Sequence, residues 1–186
     1  MKTILISLLM FISLTAFGQS VMLAPVNFQV NADHALSKFE DAILHPEDVL
    51  QRFRPAGVRV SNKNVAHNEI SFVATKTVLL VTKSIYVHGV FESREINRGC
   101  PANEKSFLLR MHFESSHWVV TNNVQELRAI VCLRENSNSN ISGQVRAQII
   151  KGSQYSNTFG PIAISLIKDQ VNPLLTALTE EIRSMR

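Results

Sequence analysis

The sequence predicts an α+β fold, in which a curved antiparallel sheet wraps around a long amphipathic helix near the C-terminal end of the chain. Hydrophobic residues alternate with a period of two between Val58 and Lys151, as in strands. Beyond Pro161 they recur instead with a helical period. A strand and two short helices precede the alternating region. We therefore expect the sheet and the last helix to enclose one core.

The first third of the chain predicts a strand followed by two short helices. The segment from Val26 to Val30 alternates between hydrophobic and polar residues. Residues 31–33 offer N-cap side chains, and hydrophobic residues then follow at helical spacing from Leu36 to Ile43. A second short helix starts at Pro46 and is stopped by Pro55.

The middle of the chain predicts strands with one buried face. The segments Phe107–Phe113, Leu127–Leu133 and Val145–Ile149 each place hydrophobic side chains on one face and mostly polar side chains on the other. This one-sided alternation is typical of an antiparallel sheet that covers a core. Residues 136–140, which alternate Asn and Ser, predict a surface loop between the last two strands.

The C-terminal region predicts one long amphipathic helix from Pro161 to Arg186. Its hydrophobic stripe consists of Ile164, Ile167, Val171, Leu174, Leu178, Ile182 and Met185. Pro173 lies inside this stretch and should kink the helix or split it. A stripe of this length must pack against another element.

This order of elements resembles the helix-grip fold of the START-like (SRPBCC, Bet v 1-like) superfamily, from Val26 to Arg186. The resemblance implies a cavity between the sheet and the long helix that holds a lipid or another hydrophobic molecule, although some members are cyclases or hydroxylase components. An α+β sheet of another order, such as a cystatin-like roll, is the alternative. The expected ligand-binding residues are the inward-facing hydrophobic ones, Phe107, Leu109, Met111, Phe113, Leu127, Val131, Ile167, Val171, Leu174 and Leu178.

Residues 1–18 predict a cleaved signal peptide. Lys2 precedes an apolar stretch, and Ala16 and Gly18 are the small residues expected before a cleavage site. The stretch of about 14 residues is shorter than the ~20 that a spanning helix needs. A buried N-terminal helix or an uncleaved anchor is the alternative. We expect cleavage after Gly18, a secreted or periplasmic location, and a single domain over residues 19–186.

The predicted export would place both cysteines in an oxidising compartment. In an oxidising compartment, Cys100 and Cys132 are expected to form a disulfide. Closing a loop of about 33 residues would contribute roughly 3.7 kcal/mol in the chain-entropy treatment. Two unpaired thiols, with Cys132 buried in its strand, are the alternative.

The sequence argues against nucleic-acid binding and against a membrane-spanning segment after residue 18. The net charge is +4 and the basic residues are scattered singly, whereas nucleic-acid binders concentrate them on one face. No segment after residue 18 is long and apolar enough to cross a bilayer.

Three polar residues form the densest cluster of potential metal ligands, namely His112, Glu114 and His117. Three such ligands suit zinc, but the strand pattern turns them towards water, so a solvated strand end is the preferred interpretation. We expect the neighbouring Trp118 to be a packed strand residue.

Tyr86 and His88 share one face of a predicted strand, which we expect to be the outer face of the sheet. The sequence contains no nucleophile elbow, phosphate loop or helical zinc motif, so we predict no catalytic residue, metal or cofactor. The favoured function is non-catalytic binding of a hydrophobic small molecule. The alternative is a structural or protein-interaction domain with a filled core. A cavity above ~300 Å³ would distinguish them.

Overall fold

A computed structural model of the chain describes residues 20–31, 35–78, 81–136 and 140–185. The predicted signal peptide, residues 1–18, lies outside this part of the chain. Within it the strands are β1 (Ser20–Met22), β2 (Val26–Asn31), β3 (Arg59–Ala66), β4 (Glu69–Val78), β5 (Val81–Ile96), β6 (Lys105–Phe113), β7 (Val124–Glu135) and β8 (Asn140–Lys151). The helices are α1 (Ala35–Leu44), α2 (Glu47–Arg52), α3 (Trp118–Thr121), α4 (Gly160–Lys168) and α5 (Val171–Ser184).

All the strands form one antiparallel sheet in the order β1-β8-β7-β6-β5-β4-β3, and β2 also pairs with β8. Strands β1 and β2 follow the same edge of β8 and are separated by residues 23–25. Pro25 has no N–H with which to continue the ladder, which is consistent with this interruption. The sequence pattern had not indicated β1, which is only three residues long.

The strand register confirms the predicted hydrophobic face. Phe107 lies opposite Val131, which lies opposite Val145 on the next strand. Met111 likewise lies opposite Leu127. Side chains at such paired positions share one face of the sheet, so the inward-facing residues of β6, β7 and β8 form a continuous apolar surface.

The C-terminal helix is split, as Pro173 predicts. Helix α4 ends at Lys168 and α5 begins at Val171. Pro173 cannot donate a hydrogen bond to the carbonyl of Asp169, four residues earlier, and its ring would clash with that carbonyl. The regular α-helical pattern resumes with the Leu174 N–H, which donates to the Gln170 carbonyl at 3.0 Å.

Two hydrophobic clusters result from the split. In the first, α5 packs with α1 and α2, and Phe39, Leu50, Leu178 and Ile182 are buried together with inward-facing sheet residues. In the second, α4 packs with α3 against β7 and β8. The structure is therefore the helix-grip arrangement predicted from the sequence, with a bent gripped helix, and not a cystatin-like roll.

An ion pair holds the second half of the bent helix. The Arg52 guanidinium at the end of α2 donates to the buried Glu181 carboxylate on α5, and this contact raises the pKa of Arg52. Arg52 also donates to the Ser184 hydroxyl at 2.9 Å. On the other side of α1, Lys105 of the sheet pairs with Glu40. Both pairs link helices to elements distant in sequence.

The Cys100–Cys132 disulfide joins the loop after β5 to strand β7. Cys132 is buried, whereas Cys100 is only partly covered. The Glu104 carboxylate lies within 4.8 Å of both sulfurs, but sulfurs that are bonded to each other offer no thiolate to a metal. Within the described residues, no helix is long and apolar enough to span a membrane.

Removing the disulfide with Cys100→Ala and Cys132→Ala together should lower the free energy of unfolding by about 3.7 kcal/mol, because the unfolded chain regains the freedom of a closed loop. Chemical denaturation measures the change. A reductant should lower the stability of the parent protein and leave the double variant unchanged. Equal stability of the parent protein with and without reductant would contradict the prediction.

Candidate functional site

A cavity of about 910 Å³ lies between the inner face of the sheet and helices α3 and α4. It exceeds the ~300 Å³ at which ligand pockets begin. Its lining is predominantly apolar and includes Phe53, Pro55, Val58, Ile70, Phe72, Ala74, Ile85, Val87, Met111, Phe113, Val119, Val120, Leu127, Leu166, Ile167 and Leu174. At one border the lining residues are exposed, so the cavity opens to solvent there.

The cavity exists because neither half of the bent helix covers the inner face of β4 and β5. Helix α4 packs on β7 and β8, whereas α5 packs on α1 and α2. The inward-facing Ala74, Ile85 and Val87 therefore remain only partly buried, although each lies on the apolar side of the sheet. A void lined by such residues is suited to an apolar molecule.

The predicted ligand-binding residues divide into two sets. Those that line the cavity are Met111, Phe113, Leu127, Ile167 and Leu174. Those that lie elsewhere in the apolar interior are Phe107, Leu109, Val131, Val171 and Leu178. Phe107, Val131 and Leu178 are buried in the first cluster, which also contains residues of α1, α2 and α5.

The remaining cavity walls come from segments that were not among the predicted ligand-binding residues. Strands β4 and β5 contribute alternating residues such as Phe72 and Val87, and the loop after α2 contributes Pro55. The alternation in β4 was visible in the sequence. What could have identified the site, the lack of direct packing of α4 and α5 on β4 and β5, is a property of the tertiary structure.

An exposed apolar rim borders the cavity and consists of Trp118, Phe159 and Ile162, which are 50%, 40% and 53% exposed. The Trp118 and Phe159 rings meet edge to face, with 5.1 Å between their centroids. Trp118 was predicted to be a packed strand residue, but it is the first residue of the short helix α3. Clustered exposed hydrophobic side chains are typical of binding surfaces.

Asn123 fixes the two segments that carry this rim. Its buried side-chain amide donates to the Val119 carbonyl at 2.9 Å and accepts from the Ser156 N–H at 2.7 Å. Its backbone carbonyl accepts from the Gly152 N–H at 3.0 Å. One side chain therefore joins α3 to the loop that leads into α4.

Gln170 holds the joint of the bent helix beside the cavity. Its side-chain oxygen accepts from the Ala56 N–H at 2.8 Å, and its amide nitrogen donates to the Leu166 carbonyl at 2.8 Å. The oxygen and the nitrogen of this amide are both hydrogen-bonded within the protein, so few of its hydrogen-bonding positions are left for a ligand.

The other polar lining residues are Lys83, Ser84, His117 and Ser165. The Ser84 hydroxyl hydrogen-bonds the Thr75 hydroxyl at 2.9 Å. His117 caps α3, because its Nδ1 accepts from the Val119 N–H at 3.3 Å. No acidic residue is among the described residues that line the cavity.

The structure does not bring the predicted metal-ligand candidates together. His112 lies near Glu92 and Glu126, with nitrogen–oxygen distances of 3.7 Å and 3.9 Å. Glu114 is exposed just after β6, and His117 lines the cavity. The alternation of β6 places His112 on the face opposite its cavity-lining neighbours, so these side chains do not share one site.

The Glu126 carboxylate lies beside the partly covered His112 on the outer face of the sheet. This buried carboxylate accepts from the Arg128 Nε at 2.7 Å and has the Arg110 Nε at 3.6 Å. The hydrogen bond to Glu126 raises the pKa of Arg128. The Glu126 carboxylate thus lies close to two guanidiniums, those of Arg110 and Arg128, on the outer face of the sheet.

Tyr86 and His88 lie on the face of β5 that was expected to be external. Tyr86 is exposed, and the His88 Nε2 lies 3.3 Å from the Glu69 carboxylate. Neither lines the cavity, whereas their neighbours Ile85 and Val87 do.

No family model matches the chain, and no curated protein matches it. Several solved structures are similar in overall arrangement. A START superfamily protein from Mycobacterium smegmatis has a TM-score of 0.46 and 10% identity, with 91% of this chain and 100% of that chain covered. Ara h 8.0201 has a TM-score of 0.46 and 8% identity, with 88% and 97% covered. Truncated norcoclaurine synthase from Thalictrum flavum has a TM-score of 0.45 and 8% identity, with 90% and 98% covered.

The order and pairing of the elements decide the architecture. The fold is of the helix-grip type. Two short helices follow the outer strand, a curved antiparallel sheet comes next, and a bent C-terminal helix packs on the inner side of the sheet.

Asn123→Ala should lower the free energy of unfolding by about 2 to 4 kcal/mol, because the Val119 carbonyl and the Ser156 N–H both lose a buried partner. Asn122→Ala is the matched control and should change it by less than about 0.5 kcal/mol. Thermal or chemical denaturation measures both. Similar effects at the two positions would show that the amide does not hold the rim.

The same substitution at two inward-facing positions should distinguish the cavity from the filled core. Val87→Phe adds its ring to the void and should change the free energy of unfolding by less than about 1 kcal/mol. Val131→Phe enlarges a buried residue of the first cluster and should cost about 1 to 3 kcal/mol. Denaturation curves of the two variants check this. Equal losses would mean that the cavity is not open space.

Proposed function

We propose that this chain is an exported, single-domain, non-catalytic protein that binds a hydrophobic or lipid-like small molecule in the cavity. The observation that carries the proposal is an open cavity of about 910 Å³ with a predominantly apolar lining. Pockets that bury most of a small ligand have volumes of about 300 to 1,000 Å³. A bound molecule would cover the partly exposed Ala74, Ile85 and Val87.

Burial of apolar surface would supply the affinity. Each square ångström of apolar surface removed from water contributes roughly 25 cal/mol, without directional requirements. The exposed Trp118, Phe159 and Ile162 extend the apolar surface from the cavity to the outside. A hydrophobic molecule could therefore enter along the rim in contact with apolar side chains.

Export and domain organisation belong to the same proposal. Residues 1–18 have the order of charge, apolar core and small residues of a secretory signal, with cleavage after Gly18. The Cys100–Cys132 disulfide suits an oxidising compartment, either outside the cell or in the periplasm. The mature protein would then be one domain of residues 19–186.

The alternative function, a structural or interaction domain with a filled core, fits less well. It requires the inward-facing residues to interdigitate, which those of the first cluster do. Those around Val87 enclose a void instead. The proposal therefore assigns binding to the residues that line this void, some of which, such as Ile70 and Phe72, also belong to the first cluster.

Ligand uptake should change the fluorescence of Trp118, which is the single tryptophan of the sequence and stands at the cavity border. Titration with the neutral apolar probe N-phenyl-1-naphthylamine should give a saturable change in Trp118 emission and a rise in probe fluorescence. Native mass spectrometry of the mature protein should show one bound probe molecule per chain.

Val87→Phe should weaken this binding at least about threefold, because the ring occupies ligand volume. Val73→Phe is the matched control, since Val73 lies on the opposite face of the neighbouring strand and does not line the cavity. It should leave the probe affinity unchanged. A folded parent protein that takes up no probe would refute the proposed function, whereas equal affinities of the two variants would place the ligand elsewhere.

A further inference from the structure

Lys83 is a charged residue on the apolar side of the sheet. It shares the inner face of β5 with Ile85 and Val87, two and four residues further along the strand, and all three line the cavity. Its side chain is exposed, and the pairing of β5 with β6 begins only at Gly89. Lys83 therefore lies at the open border of the cavity, in the part of β5 that extends beyond its pairing with β6.

Unlike Lys105, Arg52 and Arg128, Lys83 has no acidic partner among the described residues. Lys105, Arg52 and Arg128 each have a carboxylate at hydrogen-bond distance. No carboxylate among the described residues lies within 4 Å of the Lys83 ammonium. The described cavity lining also contains no Asp or Glu. The described residues therefore leave its charge uncompensated at this border.

Two other polar residues that line the cavity, His117 and Ser165, add hydrogen-bond donors. The His117 Nδ1 accepts from a backbone N–H, so in the neutral ring the proton is on Nε2, which is a donor. Ser165 on α4 contributes a hydroxyl that also lines the cavity. The cavity lining therefore offers one ammonium and two further donors and, among the described residues, no carboxylate, which is complementary to an anion.

We propose that the ligand is an amphiphile whose anionic group, a carboxylate or a phosphate, is bound by Lys83 at the cavity border while its hydrocarbon chain lies in the apolar cavity. This inference rests on the proposed function, because it needs a ligand in the cavity. It goes further by naming the chemical class of the ligand and the orientation in which it binds.

Four probes with the same sixteen-carbon chain test the inference by displacing N-phenyl-1-naphthylamine at pH 8. They are hexadecanoic acid, hexadecyl phosphate, hexadecanol and hexadecyltrimethylammonium, used below their aggregation concentrations. At least one anionic probe should bind about three- to tenfold more tightly than hexadecanol, as expected for an ion pair at a partly solvated site. The preference should shrink as the salt concentration is raised, because the ammonium is exposed.

Lys83→Gln should remove the preference for the anion and leave the affinity for hexadecanol unchanged. Lys168→Gln is the matched control, since this exposed lysine at the end of α4 removes the same charge but does not line the cavity. It should keep the preference. Whichever anion gains more from Lys83 is assigned as the headgroup chemistry.

The outcomes separate the two proposals. If no probe displaces the dye and the dye itself does not bind, the proposed function fails. If hexadecanol binds as tightly as both anions, if the cationic probe binds most tightly, or if the preference survives Lys83→Gln, the present inference is overturned while hydrophobic binding stands.

Discussion

The backbone break between Lys168 and Val171 is the constraint on which the rest of the structure depends. The sequence provides one hydrophobic stripe that could have formed a single straight helix, but Pro173 cannot complete the hydrogen bond to Asp169. The stripe is therefore divided between two helices with different partners. Because they diverge over the sheet, neither of them packs directly on the inner face of β4 and β5, and the cavity lies over this part of the sheet.

An open apolar cavity lacks the packing contacts of a filled core. At the border of this cavity, side-chain hydrogen bonds hold the surrounding segments together. Voids lose the dispersion contacts that a filled core would have. Around this void, Gln170 ties the helix joint to Ala56, and the buried Asn123 ties α3 to the loop before α4. Such hydrogen bonds fix the shape of the cavity without filling it. They thus allow an apolar volume to persist in a fold that would otherwise collapse onto it.

The sequence predicted what depends on local periodicity and missed what depends on packing. Alternation identified the inner face of β6 and β7, Pro173 identified the split, and export suggested the Cys100–Cys132 bond that the structure contains. Periodicity assigns a residue to a face but not to a half of the sheet. Phe107 and Met111 therefore have equivalent patterns, although one lies in the filled cluster and the other lines the cavity. The four-residue helix α3 is too short to give any periodic signal, so the position of Trp118 at the border could not be anticipated.

The interior has a tightly packed part around α5 and a part that lines the void, and the two contribute differently to stability and to binding. Residues such as Phe39 and Leu178 bury their side chains against α5, and they would stabilise the protein whether or not a ligand is present. The walls around Val87 contribute less to the unliganded protein, because part of their surface faces the void. Filling that void with an apolar chain would recover the missing contacts, so ligand binding would stabilise the folded protein. Hydrophobic burial does not orient a chain, whereas an uncompensated ammonium at one border does. The position of Lys83 is therefore the feature that would turn a general apolar cavity into a site with a defined direction of entry.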